Sequence, residues 1–236
     1  PISNIGGVLI FVNIVILIIY QLFIEQEKTF LFDLLPYISA IFIIGLIDDS
    51  RDINPNLKIV LFTLIVFVLI FTNEKYLISE LQISFLEKNL EFGKYSYIFT
   101  IFCFLAFINA INMFDGINLH TSIYIFFVLL IFLIKKEYIQ LCTTILIPTL
   151  FFSYLNYKNK CFIGNNGTYL ISFMFSCLFI RSYNSSLLLL PEEIFLIMFL
   201  PGIDLIRLTF LRLLKKKHPF RGDKNHIHHL LLKKYN

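Results

Sequence analysis

Residues 57–73 read Leu57-Lys58-Ile59-Val60-Leu61-Phe62-Thr63-Leu64-Ile65-Val66-Phe67-Val68-Leu69-Ile70-Phe71-Thr72-Asn73. A few polar side chains interrupt an otherwise aliphatic and aromatic run. Its length is close to the roughly 20 residues a helix needs to cross the hydrocarbon core of a bilayer. Without water in that core the backbone must satisfy its own hydrogen bonds, which favours a helix. Seven further runs of this kind occupy about 8–24, 34–47, 97–114, 119–134, 138–155, 168–183 and 188–211. The expected fold is therefore all-α, a polytopic transmembrane helical bundle of about eight spans. No Gly/Ser/Pro-rich linker and no repeat divides the chain, so residues 1–236 read as one integral membrane domain.

Composition agrees. Hydrophobic types make up 58% and charged types 15%, with a mean hydropathy of +0.79. Soluble domains average about 25% charged residues, so there is too little polar material here to coat one. An ordinary soluble enzyme, a disordered chain and a disulfide-built module are excluded. Cys103, Cys142, Cys161 and Cys177 lie scattered, mostly in apolar runs, and read as small buried hydrophobes. The net charge of +4 is expected to reflect cytoplasmic loops rather than nucleic-acid binding. If every segment spans, the even-numbered loops and the tail share one side, with 13 of the 20 Lys/Arg. The positive-inside tendency makes that side cytoplasmic. Loop 3 (72–96), on the other side, alternates at Leu81-Gln82-Ile83-Ser84-Phe85 and could form a small hairpin.

The polar motifs gather on the cytoplasmic side, which suggests one shared site at that membrane surface. Asp48 and Asp49 follow the apolar Ile43–Ile47. In a helix Asp48 and Asp52 would share a face and repel. A divalent cation such as Mg²⁺ would relieve that; the plainer reading is a helix end reaching water. Asn109, Asn112 and Asp115 recur three residues apart at a helix end, and Asp115-Gly116 reads as its stop. Such groups near membrane depth need partners, either in a site or in an interhelical hydrogen-bond cluster. Gly164-Asn165-Asn166-Gly167 reads as a turn before a helix, a plain connector or a presenter of N–H groups to phosphate. The tail carries Lys215-Lys216-Lys217-His218-Pro219-Phe220-Arg221, then Lys224, His226, His228 and His229. It is a membrane anchor or a cradle for an anionic substrate. Asp204 and Arg207, after Pro201-Gly202, suggest a charge pair in a broken or kinked helix.

In this order the motifs resemble the polyprenyl-phosphate N-acetylhexosamine-1-phosphate transferases of glycosyltransferase family 4. Pro1–Gly7 is similar to the end of the family's N-terminal Pro…Gly-Gly motif. Gly45–Asp52 matches its aspartate motif, and Asn109–Leu119 its Asn-x-x-Asn-x-x-Asp-Gly block. Pro201–Arg207 and Pro219–Leu231 match its final block, in the His-Ile-His-His form typical of the GlcNAc-1-phosphate branch. The resemblance implies transfer of a HexNAc 1-phosphate from a UDP-N-acetylhexosamine to undecaprenyl (polyprenyl) phosphate, releasing UMP. It implies initiation of an envelope polysaccharide such as O-antigen, in a bacterial cytoplasmic (inner) membrane. It implies catalytic roles for Asp48, Asp49, Asp115, His226, His228 and His229. Asn109, Asn118, Arg221 and Lys224 would bind substrate. Mg²⁺, or Mn²⁺ in its place, would be held by Asn112, Asn165 and Asp49. A homodimer is compatible with this reading. The family's first and final helices are expected to be missing from the chain.

One departure stands out. The family usually has Gly-Asp-x-Gly-Ser in the sixth loop, its Asp a metal ligand; here the segment is Gly164-Asn165-Asn166-Gly167-Thr168. That leaves a second expectation, a weakened paralogue that binds lipid phosphate or nucleotide sugar without efficient turnover. A transporter or channel would need ionisable residues at mid-membrane, whereas most charges here sit at helix ends.

Overall fold

The structure is a computed structural model that describes residues 4–26, 29–85, 88–186 and 188–214. Each of the eight apolar runs is a helix: α1 (Gly6–Phe23), α2 (Phe30–Ser50), α3 (Pro55–Thr72), α4 (Ser96–Phe114), α5 (His120–Ile134), α6 (Ile139–Tyr157), α7 (Gly164–Ser186) and α8 (Pro191–Leu214). Six of them are long and apolar enough to cross a membrane. The other two are α5, with 15 residues, and α7, which carries Gly, Asn, Thr and Ser. The chain is an all-α polytopic membrane protein. Its lipid-facing character shows on α3, where Leu57, Val60, Leu64, Phe67, Val68 and Phe71 are exposed. An apolar face left exposed on a helix is costly in water and favourable in lipid.

Helix ends follow local chemistry. Asn54 caps α3 by accepting from the Asn56 N–H at 2.9 Å, with Pro55 at the first helical position, where its missing N–H costs nothing. At the start of α8, Glu193 reaches back to the Leu190 N–H at 2.8 Å, half of a capping box. Of the expected broken or kinked helix, the break is absent: α8 is continuous through Pro201 and Gly202. The Asp204–Arg207 pair is present at 2.8 Å.

Two compact units divide the chain: residues 1–52 with 117–171, and 53–116 with 172–236. In the first, α1 packs on α6 and α2, and α5 packs on α6; Phe11 stacks on Phe42 with centroids 4.1 Å apart. A buried Gln21 donates to Gln140 Oε1 (2.7 Å) and accepts from Thr29 Oγ1 (2.7 Å), so polar groups at one end of α1 and α6 are mutually satisfied.

In the second unit, α4 packs on α8 and α3. The expected hairpin is there: β1 (Glu80–Leu81) pairs antiparallel with β2 (Leu90–Glu91). Beside it α7 continues past the apolar run 168–183, to Ser186. Tyr183 Oη donates to the Glu80 carbonyl (3.1 Å), and Asn184 Nδ2 donates to the carbonyls of Lys75 and Leu77 (2.9 Å each), which extends α7 onto the hairpin. An apolar cavity of about 430 Å³ in this unit is lined by Phe102, Phe107, Phe179, Phe195, Met198 and Phe199, among others.

Candidate active site

The motif residues of the first unit meet because glycines let backbones touch. A Cβ on Gly45 of α2 would lie 2.7 Å from Asn166 N and 2.9 Å from Asn165 O. Gly7 of α1 abuts Asn166 and Gly167 just as closely, and its N–H donates to the Ile163 carbonyl at 3.0 Å. The segment 163–167 is thereby clamped between α1 and α2. The sequence reading of a turn before a helix is corrected, because residues 164–167 are the first turn of the helix itself. α7 begins at Gly164, whose φ of +75° is in the left-handed region that glycine tolerates.

The reason α7 starts there is Asp49. Its Oδ1 accepts from Asn165 N (2.8 Å) and Asn4 Nδ2 (3.2 Å). Its Oδ2 accepts from Asn166 N (3.1 Å) and from Asn166 Nδ2. The first N–H groups of a helix have no partner within it, and a carboxylate there is favoured by the helix dipole. Asp48, on the same turn of α2, is buried at 3% exposure and accepts from Tyr169 Oη at 2.8 Å. The two adjacent aspartates therefore take different partners on α7, five residues or fewer apart.

Asp52 does not share their face. α2 ends at Ser50, and Arg51 turns extended with φ −145°, so the expected repulsion between Asp48 and Asp52 does not arise. Asn118 donates to Asn159 Oδ1. Beside it, Leu119 takes φ +65°, a left-handed conformation stabilised because its N–H donates to Asn156 Oδ1 at 2.6 Å. Asn156 Nδ2 in turn donates to the Cys161 carbonyl at 2.8 Å. This buried amide ties the fourth and sixth loops together.

In the second unit, Asn109 Nδ2 bonds back to the Leu105 carbonyl (2.7 Å) in its own helix. Asp115 is the C-cap of α4, its N–H on the Ile111 carbonyl at 3.1 Å, which agrees with the stop read at Asp115-Gly116. Asn112 lies on the last turn of α4. Arg221, Lys224, His226, His228 and His229, with Pro1–Ser3, lie outside the described residues.

Sequence reasoning missed Asn4, Asn156, Asn166 and Tyr169. A signal existed for Tyr169, because a phenol in an apolar run needs a partner for its hydroxyl. Asn156, just past the apolar run 138–155, is a buried amide on α6. Among the described residues no three His, Cys, Asp or Glu side chains are grouped to hold a metal ion. A carboxylate has about four lone-pair sites, and Asp49 receives four N–H donors. It does not fit the expected role of metal ligand alongside Asn165 unless those donors are displaced.

Residues 31–183 match the family model for glycosyl transferase family 4. The chain is 27% identical over 202 residues to the undecaprenyl-phosphate alpha-N-acetylglucosaminyl 1-phosphate transferases of Salmonella typhi and Escherichia coli K12, covering 80% of this chain and 55% of each relative. It is 25% identical over 202 residues to a probable undecaprenyl-phosphate N-acetylglucosaminyl 1-phosphate transferase of Bacillus subtilis, covering 81% of this chain and 55% of that protein. The chain thus spans about half the length of the curated relatives it matches.

Proposed function

Because the chain belongs to glycosyl transferase family 4, we propose that it transfers an N-acetylhexosamine 1-phosphate from a UDP-sugar to undecaprenyl phosphate and releases UMP. The observation that carries this reading is the buried Asp48 at the end of α2, held by Tyr169 beside the glycine-clamped start of α7. A buried carboxylate oriented by a hydroxyl suits proton transfer or charge alignment at a phosphate. In the reaction an oxygen of the lipid phosphate bonds to the sugar-bearing phosphorus, and the bridge to UMP breaks. Asp48 takes the proton of the attacking phosphate when it carries one. The names of the relatives support undecaprenyl phosphate as acceptor and N-acetylglucosamine as the sugar. The apolar cavity of the second unit suits an isoprenoid chain.

The same reading places the protein in a bacterial cytoplasmic membrane, with its site toward the cytoplasm, at the initiation of an O-antigen-like polysaccharide. It includes dependence on Mg²⁺ or Mn²⁺ to neutralise pyrophosphate charge, with Asp49 outside the groups assigned to the ion. The neutral Asn165 favours a second reading, binding of the same ligands with slow turnover. The test is UMP release by membranes carrying the chain, given undecaprenyl phosphate and a panel of UDP-HexNAc donors, with and without Mg²⁺. Release that requires the lipid phosphate and falls at least about tenfold in Asp48→Asn supports transfer. Ligand binding without release selects the second reading, and neither binding nor release refutes both.

A further inference from the structure

We infer that Asp49 is a positioning residue, the N-cap that fastens α7 to α1 and α2, rather than a ligand of a cation or a group that meets the reacting phosphate. The inference deepens the proposed reaction and rests on it for the identity of the site. Three observations carry it. First, both carboxylate oxygens are occupied twice, by two backbone N–H groups of α7 and by the side-chain amides of Asn4 and Asn166. Freeing an oxygen for a cation strands helix N–H groups that have no intrahelical acceptor, and leaving such a donor without a partner is costly.

Second, the cradle is shaped for this carboxylate. Gly164 passes so near that a Cβ there would lie 2.8 Å from Asp49 Oδ2, and Gly45, four residues earlier on α2, brings the backbone of Asn165 and Asn166 within reach. Third, residue 165 is an amide. An aspartate there would add a second negative charge to the helix start that Asp49 already caps, whereas Asn165 adds none and contributes its N–H. Asp48, pointing to Tyr169 instead, is the aspartate of the pair that keeps a part in the chemistry. Asp49 acts through it by fixing the turn of α2 on which both reside and the helix that carries Tyr169.

The experiment is hydrogen exchange at residues 163–167, together with thermal unfolding, on the purified full chain without lipid phosphate or nucleotide sugar. Wild type is expected to protect the amides of 165 and 166. Asp49→Asn, which keeps one acceptor, should speed their exchange at least about tenfold, and Asp49→Ala more. Asp48→Asn should leave those amides protected. Where the Asp49 variants fail to fold, wild type alone decides. Adding Mg²⁺ should leave exchange at 165 and 166 unchanged, even if the melting midpoint rises through an ion bound elsewhere.

Deprotection of those amides by Mg²⁺ would overturn the inference, as would wild-type-like protection in Asp49→Ala. A second readout separates capping from chemistry: residual UMP release by Asp49→Asn should keep the wild-type pH profile, and loss of its acidic limb would overturn the inference. Absence of UMP release in wild type would refute the transferase reading and leave the exchange result standing.

Discussion

Gly45→Ala tests whether the start of α7 depends on backbone contact with α2. The added methyl would sit 2.7 Å from Asn166 N and 2.9 Å from Asn165 O, against about 3.5 Å for an unstrained contact. Asn166 Cα lies nearer still, and all three neighbours are main-chain atoms, so the two helices must part by more than about 0.8 Å. Such a shift carries the 2.8 Å bond from Asn165 N to Asp49 beyond hydrogen-bonding reach. Overpacking costs about 1–3 kcal/mol, and weakening a bond to a charged group costs about 1.5–3 kcal/mol. The better helix propensity of Ala returns about 1 kcal/mol.

The net loss is about 3 kcal/mol, equivalent to a fall in melting midpoint of roughly 6–12 °C for a chain of this size. The measurement is thermal unfolding in detergent, with Gly202→Ala as control. A Cβ on Gly202 meets nothing within 4 Å, so that variant should match wild type or exceed it by up to about 1 kcal/mol. If Gly45→Ala melts at or above wild type, the clamp between α2 and α7 is refuted.

Tyr169→Phe removes the 2.8 Å bond to buried Asp48; it should destabilise by about 1–3 kcal/mol and, if transfer occurs, lower kcat more than KM. Asn156→Ala releases the Leu119 N–H and the Cys161 carbonyl, so hydrogen exchange at Leu119 should accelerate about tenfold while distant amides are unaffected. Asn165→Asp adds a second carboxylate to the helix start that Asp49 caps, and its melting midpoint should fall without Mg²⁺ and rise on its addition by more than that of wild type. Asp204→Ala leaves the Arg207 guanidinium without its 2.8 Å partner; the expected loss is about 1–3 kcal/mol, read by thermal unfolding.

The helices were legible because each is a long apolar run, and the ends of α7 moved where polar side chains cap or hold them. α7 illustrates the limit. Its first turn reads as loop in Gly164-Asn165-Asn166-Gly167, because local composition favours a turn, yet the cap that makes it helical lies on α2. Its last turn is held by Tyr183 on the Glu80 carbonyl of the hairpin and by Asn184 on the carbonyls of Lys75 and Leu77 just before it. The aspartate pair was legible as a site, since adjacent carboxylates at the end of an apolar helix demand partners. Which partner each one takes was not, because on α7 that depends on pairing with residues more than a hundred positions away. Asp52 shows the converse error: helical spacing was extended one turn past where α2 stops.

Asp49 emerges from the ribosome 116 residues ahead of the Asn165 amide it receives. At bacterial-range synthesis rates of 5–20 residues per second the interval is about 6–23 s. For that time, of the donors that Asp49 finally receives only the Asn4 amide has been made, and water must supply the rest. The end of α2 is therefore expected to rest at the aqueous boundary until α7 arrives and its N–H groups replace that water. A nascent chain arrested before the seventh helix carries an uncapped acid on a membrane helix, a chemical mark by which incomplete copies differ from finished ones.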